Sequence, residues 1–420
     1  MNILRIVSVA AVASAGWILL VGYTTVNGWW HTPLTDSTDP AAFRQAAMAY
    51  AQSHNRGNFA LVLIEDGERF AEGFLKQSQK IDRDTLFPTA SLSKWITALG
   101  VMHLAQSGRV ELDAPVSTYL RRWQIPDSPY QSAAVTVRQL LSHTAGLTDG
   151  LGFGEYAIGE TLPSLVESLN NPRSSSGEKV QIVLGRTPGS EWDYSGGGYL
   201  ILQLLIEDVT GQTFPAYMQS SLLDPLGMSR STYGFPGLRE NAANVYNPDG
   251  TPAELYQYAA SAATGFASTA ADLTRLADAV LNDRAPDVIA QDTLRHMRAP
   301  QASLFGFEIW GLGTILYAGT GSGDFVYGHD GQNEPAINSS LRINPASRDA
   351  FIALASGNRS LATYLGFEWV FWQTGKPDFL GLGYVTDSSI RIALVGLGVI
   401  WLLAAVLRWI SYRRRHVALS

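Results

Sequence analysis

The chain has 420 residues, 46% hydrophobic and 10% aromatic, enough to bury a large core across two or three domain-sized units. A formal net charge of −7, with no basic stripe interleaved with aromatics, argues against a nucleic-acid binder. There is no cysteine, which excludes a disulfide scaffold, a thiol nucleophile and thiolate metal sites.

No charged residue occurs from Ile6 to Trp30, and the run from Ile6 to Val21 is apolar enough to cross a bilayer. A cleaved signal peptide is the rival reading, because Ala13-Ser14-Ala15 looks like a processing site. That triplet falls inside the apolar run, with Trp17-Ile18-Leu19-Leu20 still to follow, so an anchor over 1–30 is expected. A linker at 31–38 leads to Asp39-Pro40, an N-cap followed by proline at the first helical position. Phe59–Ile64 and Arg69–Phe74 read as strands joined by the hairpin signal Asp66-Gly67.

Next comes Ser91-Leu92-Ser93-Lys94, opening an apolar run from Trp95 to Met102 that closes at Gly108. Pro88 and Thr89 suit a helix start and Gly108 a C-terminal cap, so Ser91 is expected in the first turn. Positions i and i+3 share a helix face, which brings Lys94 beside the Ser91 hydroxyl. A serine needs a neighbour to take its proton before it can attack, and a helix N-terminus offers backbone N–H groups to a developing oxyanion. The same S-x-x-K spacing at Ser176–Lys179 lies in a Ser/Gly-rich loop with no helix to align it.

From Leu112 to about Ala260 the signals are helical and loop-like. Thr136–Leu141 reads as a short helix running into Ser142-His143-Thr144-Ala145-Gly146-Leu147, where His143 is expected to be structural, bonding backbone at the end of its helix. Pro188-Gly189-Ser190-Glu191-Trp192-Asp193-Tyr194-Ser195-Gly196-Gly197-Gly198 precedes a helix from Tyr199 to Val209. Ser268–Asp272 resembles a capping box for a helix from Leu273 to Leu281. Strands return at Phe307–Trp310, Thr314–Tyr317, Phe325–Tyr327, Ala336–Ile343 and Phe351–Ala355, with Gly328-His329-Asp330-Gly331-Gln332 where a strand meets a turn. A last helix over Leu361–Trp372 precedes a second apolar run, Ile392–Leu407, followed by Arg408, Arg413, Arg414 and Arg415. These arginines place that end in the cytoplasm, and Arg5 places the other there too, leaving everything between the two spans outside. Against a buried core helix for the second run stand the flanking arginines.

Strands near both ends with helices between suggest one sheet built from distant segments, an α/β (α+β) fold. The order and context of Ser91–Lys94, the Tyr194 motif and the His329 motif resemble the serine hydrolases of the β-lactamase and penicillin-binding-protein superfamily. The likeness is strongest to its class C β-lactamase, D-aminopeptidase, D,D-carboxypeptidase and esterase branch. It implies a β-lactamase/transpeptidase-like fold, an antiparallel sheet flanked by helices, over 39–376. The α/β part would be 39–110 with 261–376 and the inserted helical part 111–260. A C-terminal span at 390–411 and a cytoplasmic tail at 412–420 complete the expected layout.

The resemblance also implies that Ser91 is the acylated nucleophile, that Lys94 tunes it and that Tyr194 shuttles the proton. A phenol with an ordinary pKa near ~10 is a poor base at neutral pH, so it needs Lys94 to favour the phenolate; which of the two is the base stays open. His329 would face the substrate's carboxylate or leaving group. Gly331 belongs to that same strand motif, and the Gln332 N–H would complete the oxyanion hole with that of Ser91. The family's Y-x-N motif has its asparagine replaced by Gly196, which removes an amide able to bond Lys94 and an acylamino carbonyl. The expected substrates are therefore small-molecule esters, peptides or β-lactam-like compounds, with esters and D-amino-acid peptides ahead of β-lactams. No metal or cofactor is called for: no histidine pair has zinc-helix spacing, and Gly319–Gly323 is out of register for a nucleophile elbow. The lipid bilayer is the expected partner, and nucleic acid is not. Alternatives are a β-lactamase, a penicillin-binding sensor that stays acylated, and a non-catalytic binding module. The short expected cytoplasmic ends leave the sensor no signalling domain, and the intact serine, lysine, tyrosine and histidine argue against a scaffold.

Overall fold

The computed structural model describes residues 3–149, 154–174, 180–234, 237 and 239–417. Its contacts divide into two units, Met1–Pro33 with Val370–Ser420, and Leu34–Trp369.

In chain order, α1 (Ile3–Val26) is the first apolar run. α2 (Pro40–His54) starts where Asp39 accepts from the Ala41 N–H at 3.0 Å. β1 (Phe59–Glu65) and β2 (Glu68–Leu75) form a hairpin whose turn residues Asp66 and Gly67 have φ of 49° and 78°, the left-handed pair such a tight turn demands. β3 (Leu86–Pro88) leads into α3 (Leu92–Gln106), apolar on nearly every side and therefore the central helix of the larger unit. The helical stretch follows with α4 (Val137–Leu141), α5 (Leu165–Asn170), α6 (Gly197–Thr210) and α7 (Phe214–Met218), then a ribbon of β4 (Val245–Tyr246) and β5 (Pro252–Ala253).

α8 (Ser261–Thr264) and β6 (Ala267–Thr269) return the chain to α3, and β6 pairs with β3. α9 (Ala270–Asn282) begins three residues before its expected start, because Thr269, inside the expected capping segment Ser268–Asp272, is the N-cap and accepts the Asp272 N–H at 3.0 Å. After α10 (Gln291–Met297) come β7 (Ala302–Leu304), β8 (Phe307–Trp310), β9 (Ile315–Gly319), β10 (Phe325–Asn333), β11 (Ile337–Asn344) and β12 (Asp349–Ser356). α11 (Leu361–Thr374) and α12 (Leu382–Val417) close the chain.

The sheet is antiparallel throughout, in the order β2-β1-β12-β11-β10-β9-β8-β7. The β1–β12 pairing, Phe59 opposite Ala355 to Ile64 opposite Ala350, joins the early hairpin to the late strands. α3 and α9 pack on one face, and α2 with α11 on the other, where the Tyr50 and Tyr364 rings stack at 4.7 Å. Alternation along β11 shows both faces at once. The Ser339 hydroxyl donates to Thr89 O beside α3 at 2.6 Å, while Asn338 donates to Thr363 of α11 at 3.1 Å.

The expected strand at Phe325–Tyr327 proves longer. β10 runs through His329 to Asn333, so the histidine motif lies inside a strand rather than where a strand meets a turn. The physical reason is pairing with β11, which runs from Tyr327 opposite Ile343 to Asn333 opposite Ile337, whereas the pairing with β9 ends at Gly328 opposite Ile315. Gly328, at φ 150°, lets Leu341 O approach to where a side chain would begin.

In the smaller unit α1 and α12 lie side by side. The Trp17 indole N–H donates to Ala393 O at 3.1 Å, and a methyl group on Gly396 would come within 2.1 Å of that ring. A close approach at a glycine is the usual way two spans pack in an apolar medium. Both helices are long and apolar enough to cross a membrane. α12 begins at Leu382, before the apolar run that marks it in the sequence.

Candidate active site

The site starts from the tight turn that precedes α3. Thr89 bonds Phe266 O through both its N–H and its hydroxyl, at 3.1 and 2.9 Å, and Ala90 takes φ of 50°. Ser91 follows as the N-cap itself, one residue ahead of the expected first turn. Its hydroxyl makes no capping bond and stays available for chemistry. The Lys94 Nζ donates to Ser91 Oγ at 3.3 Å and to Ala263 O of α8 at 3.0 Å. α8 is held for that purpose by Thr97, whose hydroxyl donates to Ala262 O at 2.9 Å, and by Gln203, which accepts the Ala262 N–H at 3.1 Å.

Lys94 is 2% exposed. Burial pulls its ammonium from 10.5 down to about 7, against the attraction of the Asp149 carboxylate. An amine that titrates near neutrality beside a serine hydroxyl can accept that hydroxyl's proton.

Tyr194 sits ahead of α6, its ring centroid 4.8 Å from Lys94 Nζ. Burial pushes its phenol well above the usual range, and a hydrogen bond with Ser91 only partly offsets this. The phenolate expected from the lysine's proximity is therefore disfavoured, because desolvation outweighs every stabilising contact of the phenol.

The loop carrying Tyr194 is fixed by two residues. His143, at φ 57°, accepts the Ser195 N–H on Nδ1 at 3.1 Å and lies 4.4 Å from the Tyr194 ring. It is structural, as the sequence suggests, but the backbone it bonds belongs to the tyrosine loop and not to its own helix end. Asp149 accepts from the Ser195 hydroxyl and the Gly197 N–H, both at 2.6 Å, at the start of α6; burial pushes its carboxyl up, and these hydrogen bonds only partly offset this. Gly196 caps that helix at φ −75° and ψ −37°, right-handed values open to any residue.

β10 supplies the third side. Alternation points His329 and Gly331 toward α3 and Asp330 away. A methyl group on Gly331 would reach 2.9 Å from the Ser91 amide nitrogen and 2.0 Å from Thr89 O, so only glycine lets the strand lie this close. His329 is buried, with Nδ1 2.5 Å from Asp330 O. Burial, aided by the positive charge of Lys94, lowers it from 6.5 to about 3 and keeps it neutral. Gln332, the next residue but one after Asp330, is exposed.

On the far face Asp330 accepts from Arg342 Nη2 and Ser340 Oγ at 2.6 Å and from Tyr317 OH at 3.0 Å. The Arg342 guanidinium, fully buried, also lies 3.9 Å over the Tyr317 ring. Removing one partner of such a pair typically costs about 3–5 kcal/mol, so this network fixes the strand that carries His329.

Ser91, Lys94, Tyr194, His329 and Gly331 are thus brought together. Gln332 and Gly196 adjoin the group along the chain, and Ser176–Lys179 falls outside the described residues. Sequence reasoning missed Asp149, the Ala263 carbonyl and Trp310. The Trp310 ring lies 4.8 Å from His143, 5.6 Å from Tyr194 and 5.5 Å from His329, forming the wall between them. Only Asp149 carried a signal, as an acidic residue shortly after Leu141–Leu147.

A family model described as Beta-lactamase matches residues 43–365. The chain belongs to the beta-lactamase family. It is a serine hydrolase of that family. Penicillin-binding protein 4 of Amycolatopsis lactamdurans is 27% identical over 344 residues, 76% of this chain and 86% of that protein. Penicillin-binding protein 4* of Bacillus subtilis (strain 168) is 30% identical over 196 residues, 44% of this chain and 37% of that one. Among solved structures, D-amino acid amidase from Ochrobactrum anthropi SV3 superposes with a TM-score of 0.61 at 23% identity, covering 83% of this chain and 99% of that one. At that identity the likeness shows the fold.

Proposed function

We propose that this beta-lactamase-family hydrolase is anchored in the membrane by α1 and α12, with its catalytic unit on the extracytoplasmic side. It cleaves ester or amide bonds of small or D-amino-acid-type substrates through an acyl-enzyme on Ser91. The observation that carries this reading is Lys94, buried, hydrogen-bonded to Ser91 Oγ and titrating at about 7.

In acylation the neutral Lys94 amine takes the Ser91 proton as Oγ bonds to the substrate carbonyl carbon. The N–H groups of Ser91 and Gln332 receive the oxyanion. Tyr194, kept protonated by its burial, donates to the departing oxygen or nitrogen and regains a proton from the Lys94 ammonium. The carbonyl reforms as the bond to the leaving group breaks, releasing an alcohol or amine. Water then attacks the ester as Lys94 again accepts a proton, and the tetrahedral intermediate expels Ser91 Oγ, which takes that proton back from the Lys94 ammonium as the acid product leaves. Neutral His329 offers the leaving group a polar contact without a charge.

Intact-protein mass spectrometry after exposure to a slow activated ester and to a penicillin tests the reading. One acyl equivalent on the peptide carrying Ser91 is expected; adducts elsewhere, or none with any acyl donor, would sink it.

Gly196 supports the preference for esters. Its right-handed backbone accommodates asparagine without φ strain, so Gly196→Asn isolates the missing amide. A hydrogen bond from that amide contributes about 0.5–1.5 kcal/mol, so the variant is expected to shift the rate ratio toward amide-bearing substrates by about tenfold or less. An unchanged ratio would show that the amide has no role at this position.

Arg5 and Arg408 with the basic residues after it support cytoplasmic ends. A reporter fused after Ser420 is expected to read as cytoplasmic and one inserted at Gly177 as exported. The reverse at either position would overturn the topology.

A further inference from the structure

Two adjacent residues of β11 reach the surroundings of the nucleophile from opposite faces of the sheet. Ser339, on the α3 face, donates to Thr89 O at 2.6 Å, two residues ahead of Ser91. Asn338, on the α11 face, donates through Nδ2 to Gly331 O at 2.8 Å and to Thr363 Oγ1 at 3.1 Å. Its Oδ1 accepts the Thr363 N–H at 2.9 Å.

These partners leave the amide one orientation. A backbone N–H can only donate, so Oδ1 faces Thr363 N, and the two hydrogens on Nδ2 go to Gly331 O and Thr363 Oγ1. Asn338 is fully buried, so none of these bonds is exchanged for water. Thr363 lies in the first turn of α11, where backbone N–H groups have no partner within the helix. One role of Asn338 is therefore to cap α11.

Its second role follows from the peptide unit it grips. The Gly331 C=O and the Gln332 N–H are opposite ends of one planar trans group and point in opposite directions. Asn338 bonds the carbonyl from the β11 side. The Gln332 N–H therefore points to the other side, where the pairing with β9 has already ended at Gly328 opposite Ile315. A hydrogen bond at the carbonyl end also polarises the unit and strengthens its N–H as a donor.

We propose that Asn338 is a positioning residue for the oxyanion hole: it fixes the Gly331–Gln332 peptide so that the Gln332 N–H aims at the carbonyl oxygen of the group bonded to Ser91. The assignment rests on the hydrolase reading above, in which the N–H groups of Ser91 and Gln332 receive the oxyanion. Ser339 holds the turn that carries the other donor, so a single strand sets the spacing between the two.

The test sets Asn338→Leu, similar in shape and without the donor, against Asn358→Ala, which removes a different hold on the start of α11. Asn358 accepts the Ser360 N–H on Oδ1 and donates from Nδ2 to His54 O, both at 2.9 Å. Both variants are expected to unfold a few degrees below wild type. Asn338→Leu alone is expected to lower kcat on phenyl acetate, by about tenfold, with KM changed by less than about twofold. That loss is smaller than the ~10²–10³ of a donor removed outright, because the N–H remains and loses only its aim. Inhibition by phenylboronic acid should weaken about tenfold as well. Its boron bonds Ser91 Oγ and places an oxygen where the oxyanion forms, so its affinity reads the hole rather than the fold. Asn338→Ser, whose hydroxyl is too short to reach Gly331 O, gives the same two readouts if the leucine variant does not fold. Unchanged kcat and inhibition in a folded Asn338 variant, or the same losses in Asn358→Ala, overturns the positioning role and leaves the hydrolase standing. Wild type that neither acylates at Ser91 nor binds the boronic acid overturns the hydrolase reading and the positioning role with it.

Discussion

Ser91→Ala is expected to lower kcat by a factor on the order of 10⁴ or more, since removing the nucleophile of a hydrolase leaves only the rate supplied by substrate binding and the oxyanion donors. Covalent labelling should vanish with it. The fold should survive, because the Ser91 hydroxyl caps nothing and bonds only within the site. Thr89 and Ser93 hold the turn in its place, with the Ser93 hydroxyl accepting the Phe266 N–H at 2.9 Å. Thermal unfolding should therefore shift by no more than a few degrees, the usual scale for a change of about 1 kcal/mol or less. Ser176→Ala is the matched control and should remain fully active. Full activity in Ser91→Ala beside an inactive Ser176→Ala would reassign the nucleophile.

What could be read from the chain is what short-range chemistry dictates. Asp39-Pro40, Asp66-Gly67 and Gly108 mark their caps and turn because each solves a backbone problem within a few residues. Ser91 and Lys94 were legible for the same reason, one helical turn apart. The three-dimensional partners were not. Asp149 and Trp310 reach the Tyr194 loop from separate segments, and neither spacing nor composition marks a residue whose role is to hold another. The His329 strand was misread because continuous pairing with β11 imposes extension on a Gly-His-Asp-Gly run that alone prefers to turn. The choice between Lys94 and Tyr194 as base was also beyond the sequence, because it turns on burial: the same desolvation that lowers the amine raises the phenol, which favours Lys94.

That choice predicts a pH profile. With Lys94 titrating at about 7, kcat/KM should rise with pH as the amine loses its proton and level off above. His329, at about 3, and His143, lowered well below its ordinary value by burial, stay neutral over the working range and add no second limb. Lys94→Ala is expected to cost about 10²–10⁴-fold, the scale of a lost general base, and to erase the limb near 7. Lys94→Arg should do the same, because a guanidinium stays protonated. Tyr194→Phe should slow the reaction but keep the limb; a limb that vanishes with Tyr194→Phe and survives Lys94→Ala would name the tyrosine as base. Stability gives an independent reading of the same group. Lys94 has a lower pKa folded than unfolded, so its burial costs nothing well above 10.5, costs more as pH falls toward 7, and reaches its full cost below that. At about 1.4 kcal/mol per unit, the drop from 10.5 to about 7 amounts to roughly 4–5 kcal/mol at its limit. Lys94→Met, of similar shape and without charge, should therefore be inactive yet unfold at a higher temperature than wild type at pH 7, with the gain shrinking toward pH 10. A variant less stable than wild type at neutral pH would mean that Lys94 is held as an ammonium by stronger partners than Ala263 and Ser91, and its role as the base would fall.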